Sequence, residues 1–309
     1  MSDIIYIVGS GAIGKALAVC LHHAQKKVVL IQGRVDDGTA FIQKLTLQLS
    51  DGSQLKAEIE CGSLSNYPTL TGIILLTNKS FGNVGLAVKL IDKIGSSPVV
   101  LLQNGLGVER PFIEAGFPHL YRCVLFTTSQ LLTESSIRYK PVTISPVGPI
   151  KGNEPDLNAL VEKINSPLFP FRAEPNIQPV IWEKAIVNSV FNSICPLLDI
   201  DNGVFHREAD VLALAKRIIK ECVQVAAAAG VELSAAAVED KLLTISKLSD
   251  GQFISTLVDI NHKRETEIET LNFEIVRIAE QLTPETPVGE TRLLGELTRL
   301  KARLSAQIG

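Results

Sequence analysis

The sequence predicts an α/β domain built on a largely parallel sheet, followed by an all-α domain, with the boundary between residues 172 and 173. A strand, a glycine-rich turn and a helix open the chain. Short apolar runs typical of buried strands recur to about residue 145. After Pro179 the periodicity becomes almost entirely helical, and a proline-rich segment at residues 166–175 separates the two patterns. The 309 residues are enough for two hydrophobic cores of ordinary size.

The composition excludes several classes of protein. The net charge is −3 with both signs interspersed, so no basic surface for nucleic acid is expected. The five cysteines lack the spacing of a disulfide framework or a metal site, which is typical of a reducing compartment. Glycines and Lys15 interrupt the apolar run of residues 4–21, which argues against a signal peptide or a membrane span. We therefore expect a cytoplasmic protein with no bound metal and no membrane partner.

The first 31 residues have the pattern of one βαβ unit. Residues 4–8 form a β-rich apolar run that ends at a glycine, and residues 28–31 form a second run. A helical stretch to about His23 lies between them. This order and spacing predict two parallel strands joined by a helix.

The remaining strands of the first domain are predicted from alternation and from short apolar runs. Residues 45–60 alternate around Asp51-Gly52, which predicts a hairpin. Buried strands are expected at residues 73–76 and 99–102, with a helix at 84–94 between them. Further strands are expected near residues 123–127 and 142–145.

The second domain is predicted to consist of long helices. Residues 211–229 form a strongly amphipathic pattern that stops at Gly230. Residues 254–281 have helical periodicity throughout, which predicts one long helix. Two prolines end that pattern, and a final helix is expected at about residues 289–306.

The glycine-rich turn has the context of a dinucleotide-binding motif. Gly9-Ser10-Gly11-Ala12-Ile13-Gly14 follows a predicted strand and opens a predicted helix, as in a Rossmann domain. In that motif the glycines permit a tight turn, close approach of the backbone to a pyrophosphate, and close packing of helix on strand. The helix N-terminus offers free N–H groups to the phosphates. A glycine turn without a ligand is the simpler alternative.

The end of the second strand bears on the choice between NAD and NADP. An acidic residue there would bind the ribose 2′-hydroxyl of NAD, but the chain has Gln32-Gly33-Arg34. The guanidinium of Arg34 would suit a 2′-phosphate, which favours NADP(H). Asp36 and Asp37 follow closely and keep NAD open. Arg34 as an ordinary solvated loop residue is the alternative.

Two other strand ends carry polar residues. Lys79 follows the strand at residues 73–76, and Asn104 follows the strand at 99–102. Ligands of open α/β sheets bind beyond the carboxyl ends of the strands, so both residues are candidates for cofactor binding. An exposed lysine and a plain Asn-Gly turn are the alternatives.

Lys184, Asn188 and Asn192 recur every four residues in an otherwise apolar helical segment. They would form a polar stripe on one helix face. Asparagine disfavours helices and is costly when buried without hydrogen bonds, so the stripe is a candidate binding surface. A solvent-facing stripe is the alternative.

Farther along, the charge-dense residues 263–269 would ordinarily be a solvated helix face, and spacing alone does not distinguish Glu267 from its acidic neighbours.

Taken in order, these motifs resemble those of the ketopantoate reductases (2-dehydropantoate 2-reductases) along nearly the whole chain. The similarity covers the glycine turn, Arg34, Lys79 and residues 104–107, then Trp182-Glu183-Lys184, Asn188, Asn192, Asn202-Gly203, Ser255 and Glu267. The resemblance implies a Rossmann domain followed by a helical domain like the C-terminal domain of 6-phosphogluconate dehydrogenase. It also implies reduction of 2-dehydropantoate to (R)-pantoate with NADPH, and it suggests a homodimer.

The resemblance further implies a role for each matching residue. Lys184 would protonate the keto oxygen, and Glu267 would hold the substrate and the lysine in place. The side chains that would bind the substrate are Asn188, Asn192, Asn202 and Ser255. The residues that would bind NADP(H) are Gly9 to Gly14, Arg34, Lys79 and Asn104.

Three positions depart from the family pattern. Phe273 stands where a glycine is usual, Gln130 where a histidine is usual, and Asn78 where a valine precedes the lysine. These departures leave the reductase chemistry intact but keep open a first alternative, a reductase of another small 2-keto acid. The second alternative belongs to another class of protein, a catalytically silent NADP-sensing protein. Retention of Lys184 and Glu267 argues against the second alternative.

Overall fold

The structure is a computed structural model that describes residues 4–33, 36–151 and 155–307. The chain divides into two compact units. The first comprises Met1–Gln103 and Val108–Ile177, and the second comprises Asn104–Gly107 and Gln178–Gly309. The second unit therefore begins slightly after the predicted boundary at residue 172. It also includes a short segment that the sequence pattern had assigned to the first domain.

The described part of the first unit is built on one eleven-stranded sheet. Its strands are β1 Ile4–Val8, β2 Val28–Gln32, β3 Ala40–Gln48, β4 Gln54–Ser63, β5 Gly72–Leu76, β6 Val99–Leu101, β7 Leu120–Cys123, β8 Thr127–Leu131, β9 Ser136–Pro141, β10 Ser145–Lys151 and β11 Phe171–Ala173. Their order in the sheet is β11-β10-β7-β6-β5-β1-β2-β4-β3-β9-β8. At its centre β6, β5, β1, β2 and β4 run parallel to one another, and the predicted hairpin is the antiparallel pair β3–β4.

Helices cover the sheet because its central strands are apolar on both faces. In β1, Ile5 and Ile7 belong to one buried cluster, whereas Tyr6 and Val8 belong to another. Successive side chains of a strand point to opposite faces, so a continuous apolar run needs a cover on each side. The helices of this unit are α1 Ala12–His23, α2 Asn83–Ile94, α3 Arg110–Glu114 and α4 Pro155–Ile164.

The strands expected near residues 123–127 and 142–145 were wrongly placed. Residues 124–126 lie between β7 and β8, and residues 142–144 lie between β9 and β10. Val142 and Ile144 are exposed. The hairpin β8–β9 consists largely of polar residues near the end of the sheet, so hydrophobic pattern carries little information about it.

The described second unit is helical, and the predicted fold class is confirmed. The prediction of a single helix over residues 254–281 is wrong, because this segment consists of a helix at Ser255–Asn261, a 3₁₀ turn at Ile268–Thr270 and a second helix at Asn272–Gln281. The break follows from Lys263, whose φ of 54° is incompatible with a continuing right-handed helix. The helices are α5 Gln178–Leu198, α6 Val204–Arg207, α7 Ala209–Ala228, α8 Ala235–Leu248, α9 Ser255–Asn261, α10 Asn272–Gln281 and α11 Gly289–Gln307.

Candidate active site

The glycine turn joins β1 to α1, and the fold itself requires glycine at two of its positions. Gly9 has a φ of 119°, and a Cβ there would lie 2.5 Å from the backbone nitrogen of Asn78. A Cβ on Gly14 would lie 1.9 Å from the carbonyl oxygen of Gly9. Both glycines therefore allow close packing of backbone on backbone between strand and helix.

Gly11 differs from the other two glycines, because a Cβ built on it meets no atom of the described chain within 4 Å. It is also the N-cap residue of α1 and has no side chain to bond the N–H groups of the first turn. Ser10, Ala12 and Ile13 are half-buried beside it. Open space at the start of an uncapped helix is suited to a phosphate-bearing ligand, so these residues fit a dinucleotide.

The end of β5 is tied to the glycine turn. The Thr77 hydroxyl donates to the carbonyl oxygen of Gly9 at 2.8 Å, and the Thr77 amide donates to that of Val8. Lys79, two residues later, is exposed at the start of a short 3₁₀ turn. The structure thus brings the β5 end, with Asn78 and Lys79, next to the glycine turn.

Arg34, the predicted 2′-phosphate ligand, lies outside the described residues. Asp36 and Asp37, which follow it, are both engaged by the chain itself. Asp36 accepts from the Ser65 amide at 2.8 Å and from the Lys89 ammonium, and the Ser65 bond is the main reason that its pKa is lowered. Asp37 accepts from the Thr39 hydroxyl and amide, which also lowers its pKa.

A buried polar network beneath this strand end was not anticipated from the sequence. Asn83, at the start of α2, and Gln103, just after β6, exchange two side-chain hydrogen bonds of 2.7 Å. Both residues are buried. The position of Gln103 at a strand end was the only available signal, because nothing in the sequence indicates which distant amide it would meet.

In the second unit, α5 carries the three predicted polar residues on one face. Lys184 and Asn188 are half-buried, and Asn192 is only 4 % exposed. The Asn192 Oδ1 accepts from the Ser255 hydroxyl and from the Thr256 amide, each at 3.4 Å. Asn192 is therefore not part of a solvent-facing stripe, and the structure brings it together with Ser255 at the start of α9.

Asn202 lies in the turn between α5 and α6 and is 7 % exposed. Its amide donates to the carbonyl oxygen of Gln252, and its own carbonyl oxygen accepts from the Ser246 hydroxyl. Its side-chain Oδ1 is buried without a hydrogen-bond partner among the described residues. An unpaired buried acceptor is costly, which is consistent with a ligand contact.

The turn that holds Asn202 is fixed by an ionic cluster. Asp201 accepts hydrogen bonds from Arg207 and from the backbone amides of Gly203 and Gly251. These bonds, the Arg207 contact above all, lower the pKa of Asp201 to about 2. Arg207 also pairs with Asp250. The cluster connects the α5–α6 turn to the segment that leads into α9.

Burial distinguishes Glu267 from its acidic neighbours, which spacing did not. Glu267 is half-buried just before the 3₁₀ turn Ile268–Thr270, whereas Glu265 and Glu269 are exposed. Helix α5, which carries Lys184, packs against this turn. The two predicted catalytic residues therefore lie on adjoining elements of the same unit.

Asn104 is half-buried in the short segment that joins the second unit. The next residue, Gly105, has a φ of 94°, and the amide of Leu106 donates to the carbonyl oxygen of Thr270 at 2.8 Å. Asn104 is thus held against the 3₁₀ turn that follows Glu267. Thr270 was not predicted, because nothing marks it within a charge-dense segment.

Two of the three positions that depart from the family pattern are Phe273, which packs against a neighbouring helix, and Gln130, which is exposed. The ring of Phe273 packs near Gly295 of α11, and the guanidinium of Arg299 lies 4.2 Å from its centre. Gln130 is exposed on β8. Within the described part of the chain, neither side chain forms a hydrogen bond with the predicted site residues.

Other features concern metals, thiols and membranes. Within the described ranges, no cluster of three or more metal-ligating side chains is present. All five cysteines are buried free thiols, and burial raises the pKa of Cys20, Cys195 and Cys222 to about 12. No helix in the described part of the chain is both long and apolar enough to cross a membrane.

Both units of the chain match models of one protein family. Residues 5–148 match the family described as Ketopantoate reductase PanE/ApbA, and residues 176–299 match Ketopantoate reductase PanE/ApbA C terminal. The chain belongs to the ketopantoate reductase family. The family is one of oxidoreductases. A 2-dehydropantoate 2-reductase of Pyrococcus abyssi is 29% identical over 289 residues, which cover 92% of this chain and 93% of that protein.

Solved structures share the fold of this ketopantoate reductase family member. One is the dimeric ketopantoate reductase of Staphylococcus aureus, with a TM-score of 0.81, 19% identity and coverage of 98% of this chain and 99% of that one. Another is a D-mandelate dehydrogenase in a ternary complex with NADH and anilino(oxo)acetate. Its TM-score is 0.84, with 22% identity and coverage of 98% and 99%.

Proposed function

We propose that this chain reduces 2-dehydropantoate to (R)-pantoate with NADPH, a step toward pantothenate and coenzyme A. The observation that carries the proposal is the arrangement on α5. Lys184 and Asn192 share a face of this helix, and the side chain of Asn192 accepts a hydrogen bond from the Ser255 hydroxyl of α9. In a member of the ketopantoate reductase family, this combination supports an active site for a small 2-keto acid.

In the proposed mechanism, Lys184 is the residue that donates a proton to the keto acid. When bound, NADPH supplies the hydride that adds to the carbonyl carbon of the keto acid. Negative charge then develops on the carbonyl oxygen, and the Lys184 ammonium stabilises it and donates a proton to it. Glu267 orients the lysine and the substrate. The neutral polar side chains that hold the substrate are those of Asn188, Asn192, Asn202 and Ser255.

The residues proposed to hold the dinucleotide are those of the glycine turn, Gly9 to Gly14, together with Arg34, Lys79 and Asn104. Two observations support NADP(H) over NAD(H). The sequence has an arginine where an acidic residue would bind the 2′-hydroxyl, and the nearby carboxylates of Asp36 and Asp37 already accept hydrogen bonds from the chain.

A reductase of another 2-keto acid is the second candidate. The structural likeness to D-mandelate dehydrogenase is the reason for including an aromatic 2-keto acid in the test. A protein that binds NADP(H) without catalysis is the remaining alternative.

A substrate panel tests the proposal. NADPH oxidation would be followed by absorbance with 2-dehydropantoate, 2-ketoisovalerate, pyruvate and phenylglyoxylate, and each reaction would be repeated with NADH. We expect 2-dehydropantoate with NADPH to have the highest kcat/KM. A higher value for phenylglyoxylate would establish the second candidate, and tight NADP⁺ binding without turnover of any keto acid would establish the third.

We also propose a homodimer, as in the Staphylococcus aureus enzyme, whose structure is described as dimeric. Sedimentation-velocity ultracentrifugation at several protein concentrations tests it. A single species at the mass of one chain would overturn this part of the proposal.

A further inference from the structure

Asn78 occupies the centre of a network of buried amides at the end of β5. Its backbone carbonyl oxygen accepts from the Gln103 Nε2 at 2.9 Å. Its side-chain Nδ2 donates to the carbonyl oxygen of Lys79 at 3.0 Å and to the Oδ1 of Asn83 at 3.2 Å. Because both neighbours of the Nδ2 are oxygens, the amide orientation is determined by the network.

The rest of the network is saturated. The Asn83 Nδ2 donates to the Gln103 Oε1 and to the carbonyl oxygen of Val108. The Gln103 Nε2 donates to the Asn83 Oδ1 and to the Asn78 carbonyl oxygen. Both amide groups therefore use their donors on the chain, and neither has a hydrogen left for the side-chain oxygen of Asn78.

The Oδ1 of Asn78 is buried and has no hydrogen-bond partner among the described residues. An acceptor that is withheld from water without a donor destabilises the chain unless a ligand supplies the hydrogen bond. Two glycines lie beside Asn78: a Cβ on Gly33, directly after β2, would lie 3.7 Å from the Asn78 Cβ, and one on Gly9 would meet the Asn78 backbone. The unpaired acceptor thus lies where the ends of β1, β2 and β5 meet, the ligand-binding edge of such a sheet.

We propose that the Asn78 Oδ1 accepts a hydrogen bond from a ribose hydroxyl of the bound dinucleotide, which makes Asn78 a cofactor-binding residue. The inference rests on the proposed dinucleotide site. The phosphates of the dinucleotide have no donor at neutral pH, whereas the riboses that flank the pyrophosphate carry hydroxyl donors.

The test compares side chains of similar shape with and without an acceptor. Asn78→Val removes the amide, and Asn78→Thr has the same branched shape with a hydroxyl oxygen. Dissociation constants for NADPH would be measured on the free enzyme by isothermal titration calorimetry, and unliganded stability by thermal unfolding. We expect Asn78→Val to raise the Kd about threefold to tenfold, as for one hydrogen bond, and Asn78→Thr to recover part of the loss.

Asn165→Val is the matched control, because the Oδ1 of Asn165 accepts from the Phe171 amide in the same unit, away from the glycine turn. It should lower the melting temperature without changing the Kd. Should Asn78→Val not fold, Asn78→Ala gives the same comparison with Asn78→Thr. A Kd for Asn78→Val within about 1.5-fold of wild type would overturn the inference alone. A wild-type enzyme that binds neither NADPH nor NADH would overturn the proposed function as well.

Discussion

The backbone amide of Leu106 donates a hydrogen bond to the carbonyl oxygen of Thr270 across 2.8 Å, although the two residues are far apart in sequence. Thr270 closes the 3₁₀ turn that begins directly after Glu267. Leu106 belongs to the short segment that starts with Asn104. One backbone hydrogen bond therefore joins the segment of Asn104, a predicted cofactor-binding residue, to the turn that follows Glu267, a predicted catalytic residue.

Gly105→Ala should disrupt this coupling. A Cβ at this position would lie 2.5 Å from the Thr270 carbonyl oxygen, and the φ of 94° is itself unfavourable for alanine. We expect a loss of about 3 kcal/mol or more in the free energy of unfolding, measured by chemical denaturation. Gly116→Ala is the control, because Gly116 has a φ of 85° but open space around its Cβ position. It should cost only about 1 kcal/mol. Equal losses for the two variants would show that the Thr270 contact is unimportant.

The glycines of the first turn should separate into two classes. Gly14→Ala places a Cβ 1.9 Å from the Gly9 carbonyl oxygen, so it should destabilise the fold by about 3 kcal/mol. Gly11→Ala meets no atom of the described chain within 4 Å, so it should fold with nearly wild-type stability. We expect it to raise the Kd for NADPH about tenfold, since its methyl group would occupy the approach to the pyrophosphate. Wild-type affinity in Gly11→Ala would mean that the phosphates bind elsewhere.

Lys184→Ala should lower kcat by about 10²–10⁴-fold, because it removes the proposed proton donor. NADPH affinity, measured by titration calorimetry, should persist. Lys220→Ala, which removes an exposed lysine of α7, is the control and should leave kcat unchanged. The proposed mechanism fails if Lys184→Ala turns over like the wild-type enzyme.

Glu267→Gln should reduce kcat/KM for the keto acid by at least about tenfold, because it removes the charge that orients the lysine and the substrate. Glu265→Gln is the matched control, since Glu265 is exposed in the same segment. Steady-state kinetics with saturating NADPH provide the measurement. Similar losses in the two variants would contradict the special role that burial indicates for Glu267.

Stability at acid pH should depend on Asp201. Its folded-state pKa, lowered to about 2 mainly by Arg207, lies below the ordinary value of 3.8. Its ionised form therefore contributes stability that is fully present above about pH 4 and is lost as the pH falls toward 2. We expect Asp201→Asn to unfold at a lower denaturant concentration than wild type at pH 6. The difference should shrink as the pH falls through this range, and a difference independent of pH would argue against the ionic contact.

Much of the fold could be predicted because each element carried its own pattern. The run at residues 4–8, the glycine turn and the hairpin about Asp51-Gly52 indicate structure within a few residues of themselves. The polar edge hairpin β8–β9 has no such pattern. The break after α9 could not be seen either, because helical periodicity continues through residues that include Lys263, whose left-handed backbone ends the helix.

The order of an α/β domain followed by an α domain, the resemblance to the ketopantoate reductases and the residue types available for chemistry can all be read from the amino-acid sequence. Three further facts emerge only in the folded chain: Asn192 meets Ser255, Glu267 is less exposed than its acidic neighbours, and Asn78 keeps an unpaired acceptor beside the glycine turn. The difference lies in the range over which the interactions act. Backbone preference and hydrophobic period act between near neighbours, whereas burial and hydrogen-bond partners depend on segments that the fold brings together from distant parts of the chain.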